Sequence, residues 1–231
     1  MLQRHKSLFL PLLALFLLAE GTLSVLLHTV GRGGSRLSYA VVVLAFVFCL
    51  LLVEARASRL LTVAALAFTL CADYFLVLRD DEDLVAMLFF SVTQLLYAAR
   101  LFLAEERRRR ALHLGIRGGL ILLALVATCL VAGESTDALA LVSLFYFANL
   151  ATNTLFAFLD GGGRGLFPYG LLLFVFCDIF VGFGMLGEYL PLGDGPLLSF
   201  LTSPSVNMAW IFYAPSQVLL SLSVLDRREM A

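Results

Sequence analysis

Hydrophobic residues along this chain fall into eight long apolar runs separated by short polar stretches. The runs cover residues 7–28, 38–54, 60–78, 84–104, 115–132, 138–159, 165–187 and 205–225. Each approaches the roughly 20 residues that an α-helix needs to cross the hydrocarbon core of a bilayer. Glycine, proline and charged residues are concentrated between the runs, as is typical of loops. The pattern predicts an all-α, polytopic membrane protein with eight transmembrane helices.

Composition supports one integral membrane domain over residues 1–231. Hydrophobic residues make up 61% of the chain and charged residues only 14%, whereas soluble domains are about 25% charged. The first run follows a basic segment and resembles a secretory signal. Its apolar character resumes through Val25 to Leu27, beyond the length of a signal core, so we interpret it as the first membrane helix.

The distribution of basic residues predicts the orientation of the helices. With the amino terminus inside, twelve of the sixteen Lys and Arg residues fall on the cytoplasmic side and three on the outer side, and Arg100 lies within the fourth run. Short cytoplasmic loops of membrane proteins carry such an excess. We therefore predict that both termini are cytoplasmic, and we expect the plasma membrane as the location. The net charge of −1 gives no indication of a nucleic-acid partner.

Two similar segments each place an aspartate inside an apolar run. The first is Cys71-Ala-Asp-Tyr-Phe-Leu-Val77, with Asp73, and the second is Phe176-Cys-Asp-Ile-Phe-Val-Gly182, with Asp178. An aspartate at the centre of a membrane helix costs about 2.5 to 3.5 kcal/mol on insertion scales, and such residues are usually functional. Asp73 and Asp178 are therefore the leading catalytic candidates.

The two aspartates suggest an internal repeat of four helices plus four. Four helices return the chain to its starting side, so halves 1–110 and 111–231 would form a parallel repeat. Each aspartate lies thirteen residues into its predicted run, which is about 20 Å along a helix. We expect the two carboxyl groups at one depth, nearer the outer face.

Polar residues recur at helical spacing in three further runs. The stripes are Ser91, Gln94 and Tyr97 in the fourth run, Tyr146, Asn149 and Asn153 in the sixth, and Trp210, Tyr213, Gln217 and Ser221 in the eighth. Such spacing places side chains on one helix face. Interhelical hydrogen bonding is an ordinary role for polar membrane residues and is favoured for the serines and asparagines. The candidate substrate-binding residues are Gln94, Tyr97, Asn149, Tyr213 and Gln217.

Two other charged residues lie within apolar runs. Glu20 could be satisfied locally by Gly21 and Thr22, and Arg100 is expected to reach the inner membrane surface with its long side chain. The four cysteines and three histidines show no metal-ligand spacing. We predict no metal site and no cofactor.

Four motifs resemble the YhhN-like family of eight-helix membrane proteins, which includes the lysoplasmalogenases. Ala72-Asp-Tyr-Phe-Leu76 resembles the family's Gly-Asp-x-x-Leu segment, and Cys177-Asp178 its Ser-Asp. Gln94-Leu-Leu-Tyr97 resembles its His-x-x-Tyr, and Tyr213-Ala-Pro-Ser-Gln217 its Tyr-x-x-x-Gln. The chain differs from the family at Ala72, Cys177 and Gln94, where the family has glycine, serine and histidine.

The resemblance implies hydrolysis of the vinyl ether bond of a lysoplasmalogen, a membrane lysolipid, to a fatty aldehyde and a glycerophospho-headgroup. Paired aspartates would then supply acid and base catalysis. Two alternatives stay open. The same acids could serve a non-catalytic lipid-binding or proton-coupled transport protein, or the chain could be a relative that has kept only the fold.

Overall fold

The computed structural model describes residues 6–29, 35–53, 56–79, 82–104, 107–161, 165–189, 195, 200 and 208–226, and this part of the chain is almost entirely helical. It contains eight α-helices: α1 (Lys6–Thr29), α2 (Ser35–Leu52), α3 (Ala57–Asp73), α4 (Asp83–Ala104), α5 (Arg107–Ala132), α6 (Ala138–Gly161), α7 (Phe167–Tyr189) and α8 (Met208–Leu222). The prediction of an all-α protein is confirmed.

Seven of these helices are long and apolar enough to cross a membrane. The remaining helix, α2, has a shorter apolar segment, Arg36–Leu52. Its 17 residues lie at the lower end of the range for a helix that spans a membrane. Length and composition therefore make the chain an integral multi-pass membrane protein. The terminal residues 1–5 and 227–231, on which the predicted orientation partly depends, lie outside the described residues.

Helix α5 begins earlier than its apolar run predicts. The run starts at residue 115, but the helix starts at Arg107, and Arg107 to Arg110 form its first turn instead of a loop. Arginine is a good helix former, so a helix can continue past the end of its apolar segment. Arg117, one of the twelve basic residues that we assigned to the cytoplasmic side, lies within this helix and is buried.

Six helices surround a common interior. In order around the ring, each packing on the next, they are α2, α3, α4, α6, α7 and α8, and α8 closes the ring on α2. Helix α1 packs outside the ring on α2 and α8, and α5 packs outside it on α6. In the apolar segments of α1 and α5, only 17% and 11% of the residues are buried, against 50% of the residues in those of α4 and α6. The ring therefore carries the core.

Arg100 joins several helices at one end of the ring. Its Nη1 donates to the hydroxyls of Thr62 on α3, at 2.8 Å, and of Ser223, at 2.7 Å, just past α8. Its guanidinium also lies over the ring of Phe167 on α7, 4.1 Å from the centroid. The residue is 5% exposed, because neighbouring helices supply oxygen atoms where it lies. Its expected reach to the inner membrane surface stays a prediction.

Helices α7 and α8 approach closely at Gly170. The hydroxyl of Ser216 donates to the carbonyl oxygen of Gly170 at 2.8 Å. A Cβ atom at Gly170 would lie 2.8 Å from Cγ of Leu220 and 3.1 Å from its backbone nitrogen. Small residues allow such close backbone approach between membrane helices.

The Gly170→Ala substitution should therefore destabilise the protein. A methyl group there forces the two helices apart, and overpacking of this kind costs about 1 to 3 kcal/mol. The measurement is the midpoint of thermal unfolding in detergent. Gly182→Ala, on the same helix, is the matched control, because a Cβ atom there meets nothing within 4 Å. Equal midpoints for the two variants would contradict the close packing described.

Candidate functional site

Asp73 lies where the third helix changes its geometry. Helix α3 ends as an α-helix at Asp73 and continues as a π-helix over Tyr74–Arg79. The backbone N–H of Tyr74 donates to the carbonyl oxygens of both Cys71 and Leu70. Segments of π-helix are rare and occur frequently at functional sites. The π-helix therefore begins directly after the candidate catalytic acid.

The Asp73 carboxyl group is enclosed by the ring. The residue is 1% exposed. The hydroxyl of Tyr213, on α8, donates to its Oδ2 at 2.6 Å. Tyr213 is itself buried, and its ring packs edge to face with that of Trp210 at 5.1 Å. The contact joins Asp73 in the first half of the chain to Tyr213 in the second half, a pairing that the sequence did not predict.

Asp178 has a tyrosine partner from a different helix. The hydroxyl of Tyr146, on α6, donates to Oδ2 of Asp178 on α7. Asp178 is partly exposed, unlike Asp73, whereas its neighbour Cys177 is buried. We noted Tyr146 only as part of a polar stripe, and its contact with Asp178 was not predicted. The signal available in the sequence was its position three residues before Asn149, which places both side chains on one face of the helix.

Asp73 and Asp178, the aspartate pair hereafter, have tyrosine partners whose rings both lie near that of Phe174. Phe174, one turn before Asp178, joins their surroundings, with its ring 5.3 Å from that of Tyr213 and 6.4 Å from that of Tyr146. Asp73 is the last residue of α3, while Asp178 is the twelfth of α7. Both carboxyl groups lie in these surroundings, although their positions counted from the helix starts differ.

A second polar network lies along α4, α5 and α6. The guanidinium of Arg117 donates to Oδ1 of Asn149 and to Oδ1 of Asn153, both at 2.5 Å. It also contacts Nε2 of His113 at 2.9 Å. Nδ2 of Asn153 donates to the side-chain oxygen of Gln94 at 3.0 Å and to its backbone oxygen at 2.8 Å. Sequence reasoning missed Arg117 and His113, although their four-residue spacing places them on one helix face.

Three predicted site residues are fully buried and keep polar atoms without a partner among the described residues. These atoms are Nε2 of Gln94, the hydroxyl of Tyr97, and both Nε2 and Oε1 of Gln217. Most buried polar groups in proteins are hydrogen-bonded, so each exception needs an explanation. Asn149, by contrast, is bonded to Arg117 and to the carbonyl oxygen of Phe145.

Glu20 lies apart from both networks. It is buried on α1, outside the ring, and neither of its carboxyl oxygens has a hydrogen-bond partner within the described part of the chain. The hydroxyl of Thr22 donates to the carbonyl oxygen of Leu18 instead. The local satisfaction that we expected for Glu20 is therefore not observed.

No group of three or more His, Cys, Asp and Glu side chains is placed to hold a metal ion within the described residues. Cys49 and Cys177 are buried, whereas Cys71 and Cys129 are exposed on the helix surfaces, and all four are free thiols. The absence of a cofactor stays a prediction from the sequence.

Comparison with known proteins identifies the family. The model of the YhhN family matches residues 34–224, which span α2 to α8 and contain both aspartates and their tyrosine partners. Among curated proteins and among solved structures nothing matches. The family match covers most of the chain and agrees with the four motifs. The chain belongs to the YhhN family.

Proposed function

We propose that this chain is a membrane hydrolase that opens the vinyl ether bond of lysoplasmalogens. The products would be a fatty aldehyde and a glycerophospho-headgroup. One observation carries the proposal: two carboxyl groups from different helices lie in one set of aromatic side chains inside the ring, and each accepts a hydrogen bond from a tyrosine. Paired carboxyl groups suit a reaction that needs one acid and one base.

The reaction begins with protonation of carbon. One carboxyl group gives its proton to the carbon atom of the double bond farther from oxygen, and the electron pair of that bond forms the new C–H bond. A lone pair of the ether oxygen stabilises the resulting oxocarbenium ion. Water then adds to this cation and gives a proton to the other carboxylate, which leaves a neutral hemiacetal.

Collapse of the hemiacetal returns the two carboxyl groups to their starting protonation states. The first carboxylate takes the proton of the hemiacetal hydroxyl, and the second carboxyl group protonates the departing glycerol oxygen. The aldehyde and the free glycerol hydroxyl are then released. Two adjacent carboxylates repel each other, so a single proton held between Asp73 and Asp178 is a favourable state for the pair.

The two tyrosines would hold the carboxyl groups in position. Tyr213 and Tyr146 each donate to Oδ2 of one aspartate, so the other oxygen of each carboxyl group is the one available to substrate or water. Asp178 is partly exposed while Asp73 is enclosed. This difference supports entry of the lipid from the side of Asp178, with its chain against apolar helix faces.

We also propose a 4+4 repeat with both termini cytoplasmic. The packing of α1 on α2, α2 on α3 and α3 on α4 recurs as α5 on α6, α6 on α7 and α7 on α8. The contacts between halves, α4 with α6 and α8 with α2, correspond as well. These paired contacts support the repeat, and the excess of basic residues on one side supports the orientation.

A non-catalytic lipid-binding or proton-coupled transport protein is the second candidate. Gln94 favours it, because an amide stands where the family has a histidine and an amide cannot exchange protons near neutral pH. Uptake of protons with a lipid into liposomes, without release of aldehyde, would support this candidate over the hydrolase.

Asp73→Asn and Asp178→Asn should each lower aldehyde release from a lysoplasmalogen by at least about a hundredfold, since general acid–base catalysis contributes 10²- to 10⁴-fold. The assay uses the purified full chain in detergent. Asp83→Asn, at the start of α4, is the matched control and should retain activity. Release that survives both substitutions in the pair would exclude the two-acid mechanism.

Tyr213→Phe and Tyr146→Phe should each reduce the turnover rate while leaving the protein folded. Phenylalanine keeps the ring packing and removes only the hydroxyl that orients one carboxyl group, so a loss of roughly tenfold is expected for one hydrogen bond to a charged group. Tyr169→Phe is the control, because Tyr169 is 46% exposed and packs only its ring, against Phe158. Unchanged turnover in both site variants would show that these hydroxyls do not position the acids.

Labelling of single cysteines tests the orientation. In a variant that lacks the four native cysteines, Arg110→Cys should be protected from an impermeant maleimide added outside right-side-out vesicles, and Arg79→Cys should react. The reverse pattern would overturn the proposed orientation. Permeabilised vesicles, in which both positions should react, provide the control.

A further inference from the structure

The hydrogen bonds of the second polar network run in one direction, from Arg117 through Asn153 to Gln94. Arginine can only donate hydrogen bonds, so the atoms of Asn149 and Asn153 that face Arg117 must be their oxygens. The amide of Asn153 is thereby oriented with its nitrogen toward α4. There Nδ2 donates to Oε1 of Gln94, at 3.0 Å. Arg117, on the outer helix α5, therefore determines the orientation of the Asn153 amide and, through it, the orientation of the Gln94 amide.

Gln94 is the last residue of this network, and its side-chain N–H group donates no hydrogen bond among the described residues. Because Oε1 of Gln94 accepts from Asn153, the Nε2 end of the Gln94 amide points away from that contact. Gln94 is completely buried, and its Nε2 has no hydrogen-bond partner among the residues that the structure describes. A buried N–H group without a partner is unfavourable. A hydrogen-bond acceptor that enters from outside the protein would satisfy it.

Gln94 lies next to the surroundings of the aspartate pair. It is one turn beyond Phe90 on α4, and the ring of Phe90 lies 5.5 Å from that of Tyr146 and 5.9 Å from that of Phe174. On α8, Gln217 lies one turn beyond Tyr213 with both ends of its amide unpartnered within the described residues. Polar atoms without partners among the described residues thus occur about one helical turn, or 5.4 Å, beyond Tyr213 and Phe90, two of the rings around the pair.

We infer that Arg117, acting through Asn153, holds Gln94 so that its N–H group donates to a phosphate oxygen of a lysophospholipid. A donor requires an acceptor, and a phosphate ester is the strongest acceptor in such a lipid. The three-carbon glycerol unit separates the ether oxygen from the phosphate by a distance similar to one helical turn. The choice of lipid rests on the proposed function. Arg117 is a positioning residue in this arrangement, because its own donors are directed at the asparagines.

Binding can be measured without any hydrolysis. The probe is an alkyl lysophospholipid, whose saturated ether cannot react as a vinyl ether, and it is compared with an alkylglycerol that has the same chain and no phosphate. Glycerol 3-phosphate, without the chain, separates binding of the lipid from binding of free phosphate ester. The only tryptophan, Trp210, packs on Tyr213 and provides a fluorescence signal near the pair. The quantity of interest is the ratio of the two lipid affinities.

The wild-type chain should bind the phospholipid more tightly than the alkylglycerol. Gln94→Leu should reduce this preference about tenfold, the usual effect of losing one such hydrogen bond. Gln94→Met, which keeps the length of the side chain and removes the N–H donor, should reduce it about as much. Thr154→Val is the control, since the hydroxyl of Thr154 donates to the carbonyl oxygen of Leu150 on its own helix.

The role of Arg117 is tested by a double-mutant cycle. Arg117→Leu should lower the preference for the phospholipid as Gln94→Leu does, and the double variant should lose no more than Gln94→Leu alone. Arg117→Lys should restore part of the preference. A purely structural role would lower both lipid affinities together and leave their ratio unchanged. If Arg117→Leu does not fold, the two Gln94 variants and Arg117→Lys carry the test.

The outcomes separate this inference from the proposed function. A reduced ratio in the Gln94 variants supports it even if no aldehyde is ever released, in which case only the hydrolase proposal fails. An unchanged ratio in both Gln94 variants overturns it, whatever the activity, and would mean that water alone satisfies Nε2. Equal binding of glycerol 3-phosphate and the alkyl lysophospholipid would also contradict it, because the lipid would then not be the recognised source of phosphate.

Discussion

The bilayer core offers no water to a polar side chain, and the arrangement of this protein follows from that constraint. Tyr213 bonds to Asp73 and Tyr146 to Asp178 across helix boundaries, while Arg100 bonds to Thr62 and to the end of α8. The contacts of Tyr213 with Asp73 and of Arg100 with Ser223 join parts of the chain that are distant in sequence, and the other two join consecutive helices. The polar side chains therefore help to set which helices are neighbours around the ring, in addition to any chemistry that they perform.

The polar groups form layers within the apolar core. The aspartate pair and its tyrosines make one layer, the amides that lead from Arg117 to Gln94 make a second, and Arg100 lies in a third near the end of α8. Aromatic rings, among them Phe90 and Phe174, fill the space around the first layer. A lipid that spans the first two layers would meet acidic groups at its ether and hydrogen-bond donors nearer its phosphate.

Much of the fold could be predicted from the sequence, because apolar length alone identifies membrane helices. The aspartates stood out for the same reason, as acids within apolar runs. The contact of Tyr146 with Asp178 could not be predicted, since spacing along one helix does not identify the facing helix. Arg117 was interpreted as a marker of orientation because the apolar run begins just before it, whereas the helix begins ten residues earlier, at Arg107. Periodicity gave no indication of the π-helix after Asp73.

That π-helix affects how this chain can be compared with its relatives. A turn with i→i+5 bonding takes up one residue more than an α-helical turn, so the residues after Asp73 are rotated relative to a regular helix. A relative with a regular third helix would align with this one only through a gap near Tyr74. Residue-by-residue comparison across Tyr74–Arg79 without such a gap would pair side chains that face different neighbours. A relative with a regular third helix is therefore expected to differ from this chain by one residue in length beside the acid.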